Sequence, residues 1–233
     1  MQPYIDWWSD RYHGYPACSL VNNRITQVDD LVAPGLLRPS RVAQFHAMSA
    51  HYWGDNLFYD KRMTFLALAQ DYYQPELVNE DHVACGALDH YDALYVLDRH
   101  MSGPARASIR AWVERGGILW LCADAGTLNE YNEPEDFLDA LAGAKRTFAD
   151  LEPSAKDASK PPAVTVRPVP GEADFLAHTV VPGNLPKAVL WAGARVRAVY
   201  DDDRPAWLEK PVGKGRVVYM GNRAGSTASS KVL

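Results

Sequence analysis

Two carboxylates raise the first question about chemistry. Asp98 and Asp124 each follow a continuous apolar run, residues 93–97 and 118–122. In an open α/β sheet, the residues just past the strand ends line the crevice where ligands sit. Two carboxylates facing one crevice could act as an acid/base pair, because proximity raises one of the two pKa values. The commoner work of Asp at such a place is to cap the next helix or hold a turn. Other candidates share the strand ends: Met48 and Ser49 after the first strand, Arg99 and His100 beside Asp98, Ala125 and Gly126 beside Asp124, and Glu130 in the next loop. Asp98, Asp124, His100 and Glu130 are therefore the catalytic candidates. Ser49, Asp98, Arg99, Asp124 and Gly126 are the expected ligand-binding set. His100 could shuttle a proton, but a lone loop His more often makes a plain polar contact, and no second His stands at ligand spacing. His46 alternates within a strand and reads as packed. No metal site and no cofactor is expected.

Three other features have a chemical and a structural reading. Cys18, Cys85 and Cys122 are odd in number and far apart, which fits neither a disulfide framework nor a zinc site. They fit small core residues in a reducing compartment. The run 212–216, with Gly213, Lys214 and Gly215, lacks phosphate-loop spacing and lies between two strand patterns, so it reads as a turn. Trp7, Trp8, Tyr12 and Tyr15 could stack on sugar rings, although clustered aromatics more often fill a domain or subunit contact.

The elements that position these residues follow from periodicity. Apolar spacing at Val21, Ile25, Val28 and Val32, with Ser19 as N-cap, predicts a helix over 19–32, ended by Pro34 and Gly35. Residues 42–48 read as a buried strand, 51–55 as a polar break, and 60–73 as a helix with Phe65, Leu68, Ala69 and Tyr72 on one face. Residues 75–78 and 93–97 read as strands. Ser102 caps a helix with Pro104 in its first turn, an inner stripe of Ala105, Ile109, Trp112 and Val113, and Gly116-Gly117 at its end. A strand over 118–122 follows, then a helix over 134–142. The stretch 151–171 is rich in Pro, Ser and Lys around one strand at 164–167 and reads as a solvated excursion or edge hairpin. Strands at 188–191, 195–200, 206–210 and 216–220, the last three joined by good turns, form a meander or hairpin pair. Apolar strands alternating with helices predict an α/β protein of flavodoxin-like type, a three-layer parallel sheet with helices on both faces and C-terminal β-hairpin or meander additions.

Composition narrows the function classes. A chain of 233 residues with 47% hydrophobic and 23% charged residues can bury a substantial core. A net charge of −5 and the lack of a Lys/Arg stripe argue against nucleic acid and against anionic membranes as partners. No run is long enough to span a bilayer and no signal peptide opens the chain, which favours the cytoplasm. The aromatic opening and the stop at Leu233, shortly after a strong strand pattern, suggest a piece of a longer protein. The expected organisation is a connecting segment with a helix at 1–38, an α/β domain at 39–225 and a truncated tail at 226–233.

The run Tyr91-Asp92-Ala93-Leu94-Tyr95-Val96-Leu97, then Met101-Ser102 and the helix leading to Gly116-Gly117-Ile118-Leu119, resembles the class I glutamine amidotransferase-like fold. Within it, the likeness is nearest to the trimerisation-type domain that follows the catalytic barrel in family 42 β-galactosidases. Arg204-Pro205-Ala206-Trp207 and the stretch from Gly213 to Gly221 resemble late strands of that domain. The likeness covers about residues 41–225. It implies a bacterial carbohydrate-metabolism protein and a domain that forms homo-oligomers or contacts a catalytic barrel, with carbohydrate a possible partner. An amidotransferase nucleophile would stand in a G-x-C-x-G elbow. Here the elbow is Cys122-Ala123-Asp124-Ala125-Gly126, so Asp124 aligns with the nucleophile and Cys122 falls on the strand, where a thiol is not presented for attack. His178 is followed by Thr179 and Val180 rather than by the expected His-x-Glu pair. No eight-fold βα pattern exists to carry a glycosidase's two Glu residues. The resemblance thus implies an accessory domain without glutaminase or glycosidase turnover of its own. A stand-alone hydrolase using Asp98 and Asp124, or a sugar-binding module, are the other readings.

Overall fold

The structure, a computed structural model, describes residues 14–32, 39–54, 57–147, 164–172, 178–180, 188–191, 193–201 and 203–222. The chain divides into two compact units, Met1–Pro39 and Ser40–Leu233. In the first, α1 (Gly14–Thr26) and α2 (Asp29–Val32) replace the single helix expected over 19–32. Ser19 is interior to α1 and caps nothing. Pro16 near the start explains the earlier beginning, since a first-turn proline gives up an N–H that has no helical partner there. The helix tightens where Val28 N–H donates to Ile25 O at 3.0 Å, and α2 restarts from it. Trp7, Trp8 and Tyr12 lie outside the described residues. No described helix is long and apolar enough to cross a membrane.

The second unit is built on a nine-stranded sheet in the order β2-β1-β3-β4-β11-β10-β9-β6-β7. Its parallel half comprises β1 (Val42–His46), β2 (Glu76–Asn79), β3 (Ala93–Val96), β4 (Ile118–Cys122) and β11 (Gly215–Met220). This 2-1-3-4-11 arrangement is the flavodoxin-like order, with its switch point between β1 and β3. The remaining strands, β10 (Pro205–Val212), β9 (Arg195–Tyr200), β6 (Val164–Pro168) and β7 (His178–Val180), add antiparallel. The expected meander is therefore present, but its last strand is also the fifth parallel strand: Arg216 to Met220 pair with Ile118 to Cys122. A two-stranded sheet joins β5 (Ala144–Thr147) and β8 (Ala188–Trp191).

Right-handed crossovers place α4 (Phe58–Gln70), which links β1 to β2, on one face, and α5 (Glu80–Ala84) and α6 (Gly103–Arg115) on the other. On the α6 face the strands present Phe45, Leu94, Val96, Leu119, Leu121, Val217 and Tyr219 to Ile109, Trp112 and Val113 of the helix. Each such side chain contributes about 1.5–3 kcal/mol on burial. Tyr95, Trp120 and Trp207 share the opposite face. Tyr95 stacks on Trp120 at 5.3 Å, and Trp120 meets Trp207 edge-on at 5.3 Å.

Two local expectations differ from the structure, and one stretch for which no element was expected holds two. The polar break at 51–55 is partly a helix, α3 (Met48–Tyr52). The stretch after β2 holds α5 and a 3-10 turn, Ala87–His90. The helix expected from Pro134 begins later, as α7 (Phe137–Ala142), because Pro134 is in a bridge with Leu128. Ser102 stands at the N-cap of α6 with Pro104 in the first turn, as expected, yet its side chain makes no capping bond. Of the cysteines only Cys122 is a buried core residue, and Cys85 is exposed. The Gly213-Lys214-Gly215 turn presses on the end of α6. A Cβ at Gly215 would stand 2.3 Å from both Gly117 O and Val113 O, and Lys214 N–H donates to Glu114 O at 2.9 Å. Close backbone packing accounts for both glycines.

Candidate functional site

The strand ends bring the candidate residues into one region but not into one constellation. Asp98, fully buried just past β3, accepts Ala47 N–H at 2.7 Å on Oδ2 and the Lys61 ammonium at 2.9 Å on Oδ1. It ties the ends of β1 and β3 together at the switch point. Burial pushes its carboxyl above the ordinary 3.8, against the opposing pull of Lys61 and the Ala47 N–H. Lys61 also lies 3.1 Å from His46 Nδ1. An ammonium can only donate, so Nδ1 accepts and His46 is the neutral tautomer with its proton on Nε2. Burial first, and the Lys61 charge second, hold the His46 pKa below 6.5.

Asp124 has a different set of partners. Its Oδ2 pairs with Arg99 Nε at 3.2 Å, and its carbonyl accepts from Thr127 Oγ1 at 2.8 Å. The two Asp side chains are thus engaged by different cations, and the sequence contained no signal that Lys61, thirty-seven residues away from Asp98, would be one of them. His100 is buried and bonds Asn132 Oδ1 at 2.8 Å through Nε2. Ser49 donates its N–H and hydroxyl to the Glu80 carboxylate, both at 2.9 Å, and Glu80 also accepts Ser102 N–H at 2.7 Å. One carboxylate thereby joins the starts of α3, α5 and α6. Glu80 was not among the sequence candidates; its only clue is Asn79, whose side chain caps α5 by accepting from His82 N–H at 2.9 Å. Glu130 accepts Gly103 N–H at 3.2 Å and faces Arg106.

The turn after β4 has its sharp residue one place earlier than the motif alignment indicates. Ala123, not Asp124, takes the left-handed conformation, with φ 45°. For a residue with a Cβ this costs about 1–2 kcal/mol, so the surroundings must hold it. Ala123 N–H donates to Met220 O at 2.7 Å, and the buried Arg146 guanidinium donates to Ala123 O at 2.9 Å and to Ala125 O at 2.7 Å. Arg146 pairs with Asp139 and lies 5.6 Å from the ring centre of Tyr219, whose phenol is pushed up by complete burial. Gly126 closes the turn with φ 65°, its N–H bonded to Asp98 O at 2.9 Å; a Cβ there would meet Leu138 Cδ1 at 2.2 Å. Arg146 lies in β5, a strand of four residues that is too short for periodicity to single it out. At the elbow the sharp position is therefore occupied by a buried methyl group, and the neighbouring carboxylate is engaged by Arg99.

Beside this region, a cleft of about 510 Å³ opens between α3, the start of α5 and the loop after β4. Its rim carries Tyr52, Trp53 and Tyr131, respectively 79%, 52% and 70% exposed.

No protein-family model and no curated protein matches the sequence. Among solved structures, a β-galactosidase from Rahnella sp. R3 superposes with a TM-score of 0.71 at 18% identity, over 90% of this chain and 33% of its own. A GH42 β-galactosidase from G. stearothermophilus gives a TM-score of 0.70 at 16% identity, over 92% of this chain and 32% of its own. A β-galactosidase from Bacillus circulans sp. alkalophilus gives 0.70 at 13% identity, over 94% and 34%. This chain spans about a third of the length of these enzymes. At such identities the likeness is one of fold: the chain has the flavodoxin-like α/β fold of one region of β-galactosidases.

Proposed function

We propose that the chain is a non-catalytic, amidotransferase-like accessory domain of a bacterial glycoside-hydrolase-like protein, supporting oligomerisation or shaping a neighbouring active site. The observation that carries this reading is the asymmetry of coverage, nine-tenths of this chain against one-third of each β-galactosidase. The local chemistry supports it. The elbow after β4 offers Ala123 at its sharp position, and Asp98, Asp124, Glu80 and Glu130 are all engaged in binding elements to one another. A stand-alone hydrolase would need Asp98 and Asp124 on one reacting atom, and their different cationic partners favour no such convergence.

The test is turnover by the whole 233-residue chain on a nitrophenyl β-galactoside and on glutamine, together with sedimentation. The expected result is no product above buffer and, for an oligomerising role, a mass above the 25.9 kDa monomer. Glycosidase or glutaminase activity that disappears in Asp124→Asn overturns the proposal.

A further inference from the structure

The cleft beside the strand ends combines features that the accessory reading leaves unused. Tyr52 and Trp53 come from the end of α3, and Tyr131 from the loop opposite. Exposed aromatic rings gathered on one concavity mark a binding surface. The rings stand on fixed supports. Trp53 Nε1 donates to Glu130 O at 3.0 Å, joining the two walls across 77 residues. The Tyr131 loop is wound around Asn129, whose Oδ1 accepts the N–H groups of Tyr131 and Glu133, both at 2.9 Å. His100 holds the next residue, Asn132, in its left-handed conformation.

The polar groups between the rings select the ligand. Among the described residues no Lys or Arg lines the cleft, which disfavours phosphates and carboxylates. Glu80 is satisfied by three donors and Glu130 is opposed by Arg106, so the lining is far from a strongly anionic cage for an organic cation. The Asp81 carboxylate, exposed on the first turn of α5, makes no hydrogen bond or ion pair among the described residues and is available to accept hydroxyls. Flat apolar rings beside one solvated carboxylate acceptor suit a ligand with apolar C–H faces and a hydroxyl edge. The volume lies within the range of about 300–1,000 Å³ usual for small-ligand sites.

We propose that this cleft binds a neutral saccharide, its ring faces on Trp53 and Tyr131 and its hydroxyls on Asp81. Such binding needs no catalytic partner, so its presence or absence is separable from the accessory role. Saturation-transfer NMR and calorimetry on the 233-residue chain with methyl β-galactoside, lactose and mannobiose test it, with choline and inorganic phosphate alongside. Saturable binding of at least one sugar is expected, weakened about tenfold or more in Trp53→Ala and in Tyr131→Ala. Tyr131 is mostly exposed, so its variant keeps the test meaningful if Trp53→Ala fails to fold. No saturable signal with any of the three sugars overturns the proposal. So does sugar binding that a folded Tyr131→Ala leaves unchanged, or binding of choline or phosphate in place of sugar.

Discussion

Replacing Arg146 with Met should unfold more of this protein than any surface change of similar size. The side chain is completely buried; it pairs with Asp139 and holds the carbonyls of Ala123 and Ala125 at 2.9 and 2.7 Å. Met fills much of the volume but leaves Asp139, only 12% exposed, without its cation. Breaking a buried pair from one side costs about 3–5 kcal/mol. Each orphaned carbonyl would add about 1–3 kcal/mol, partly offset by relaxation of the turn and entry of water. A total near 3–5 kcal/mol lowers Tm by about 6–20 °C in a domain of this size. Urea denaturation of Arg146→Met, Asp139→Leu and the double variant measures it. The double variant should recover much of the loss, because an apolar pair of similar shape is often neutral. Arg146→Lys should recover little, since a point charge cannot reach Asp139 and two carbonyls in the same plane. A loss below about 1 kcal/mol in Arg146→Met, or strict additivity in the double variant, would refute the assignment of Arg146 as the support of the elbow.

Gly215→Ala should cost about 1–3 kcal/mol or more by driving the β10–β11 turn off the end of α6, whereas Gly103→Ala, whose Cβ would meet nothing nearer than 3.6 Å, should stay within about 0.5 kcal/mol. Thermal denaturation of the two variants side by side separates close packing from a general glycine effect. Asp98 should leave a signature in pH. Its folded pKa lies above 3.8, so between 3.8 and that value the folded state holds a proton that the unfolded chain releases. The stability of the wild type relative to Asp98→Asn should therefore rise as pH falls through that window and be lowest above it. A gap that shrinks on acidification would mean that Lys61, not burial, dominates. His46 works in the opposite sense: its depressed pKa contributes stability that is lost as pH falls below 6.5, and His46→Gln should flatten that limb of the curve.

Most of the parallel half of the fold was legible because its longer helices and buried central strands carried a complete signal. Residues 118–122 are apolar throughout and bounded by Gly117 and the elbow, and β4 occupies those positions. The Ala105–Ile109–Trp112–Val113 stripe is the buried face of α6. Short elements were missed where periodicity has no room to show. Neither α3 nor α5 completes two turns, and their positions depend on Glu80, a contact made by tertiary structure. β11 was read as the end of a meander, since local sequence reports pairing with β10 across a tight turn but cannot report a parallel neighbour about a hundred residues away. The candidate carboxylates were found because type and placement suffice for that. Lys61, the partner of Asp98, was not found, because an ion pair between distant residues leaves no spacing to read.

The place of β11 has a consequence for how the chain is made. This strand lies between β4 and β10, so it joins the parallel and antiparallel halves of the sheet, yet it is the last strand in the described sequence to leave the ribosome. Until residues 215–220 emerge, β4 has a bare edge and the core side chains beside Leu119 and Leu121 lack Val217 and Tyr219. Closing so long a loop is slow relative to local pairing. The nascent domain is therefore expected to wait as an open half-sheet and to become protease-resistant in one late step when β11 slots in. Arrested chains ending before residue 215 should be cleaved readily in the region that the 233-residue chain protects.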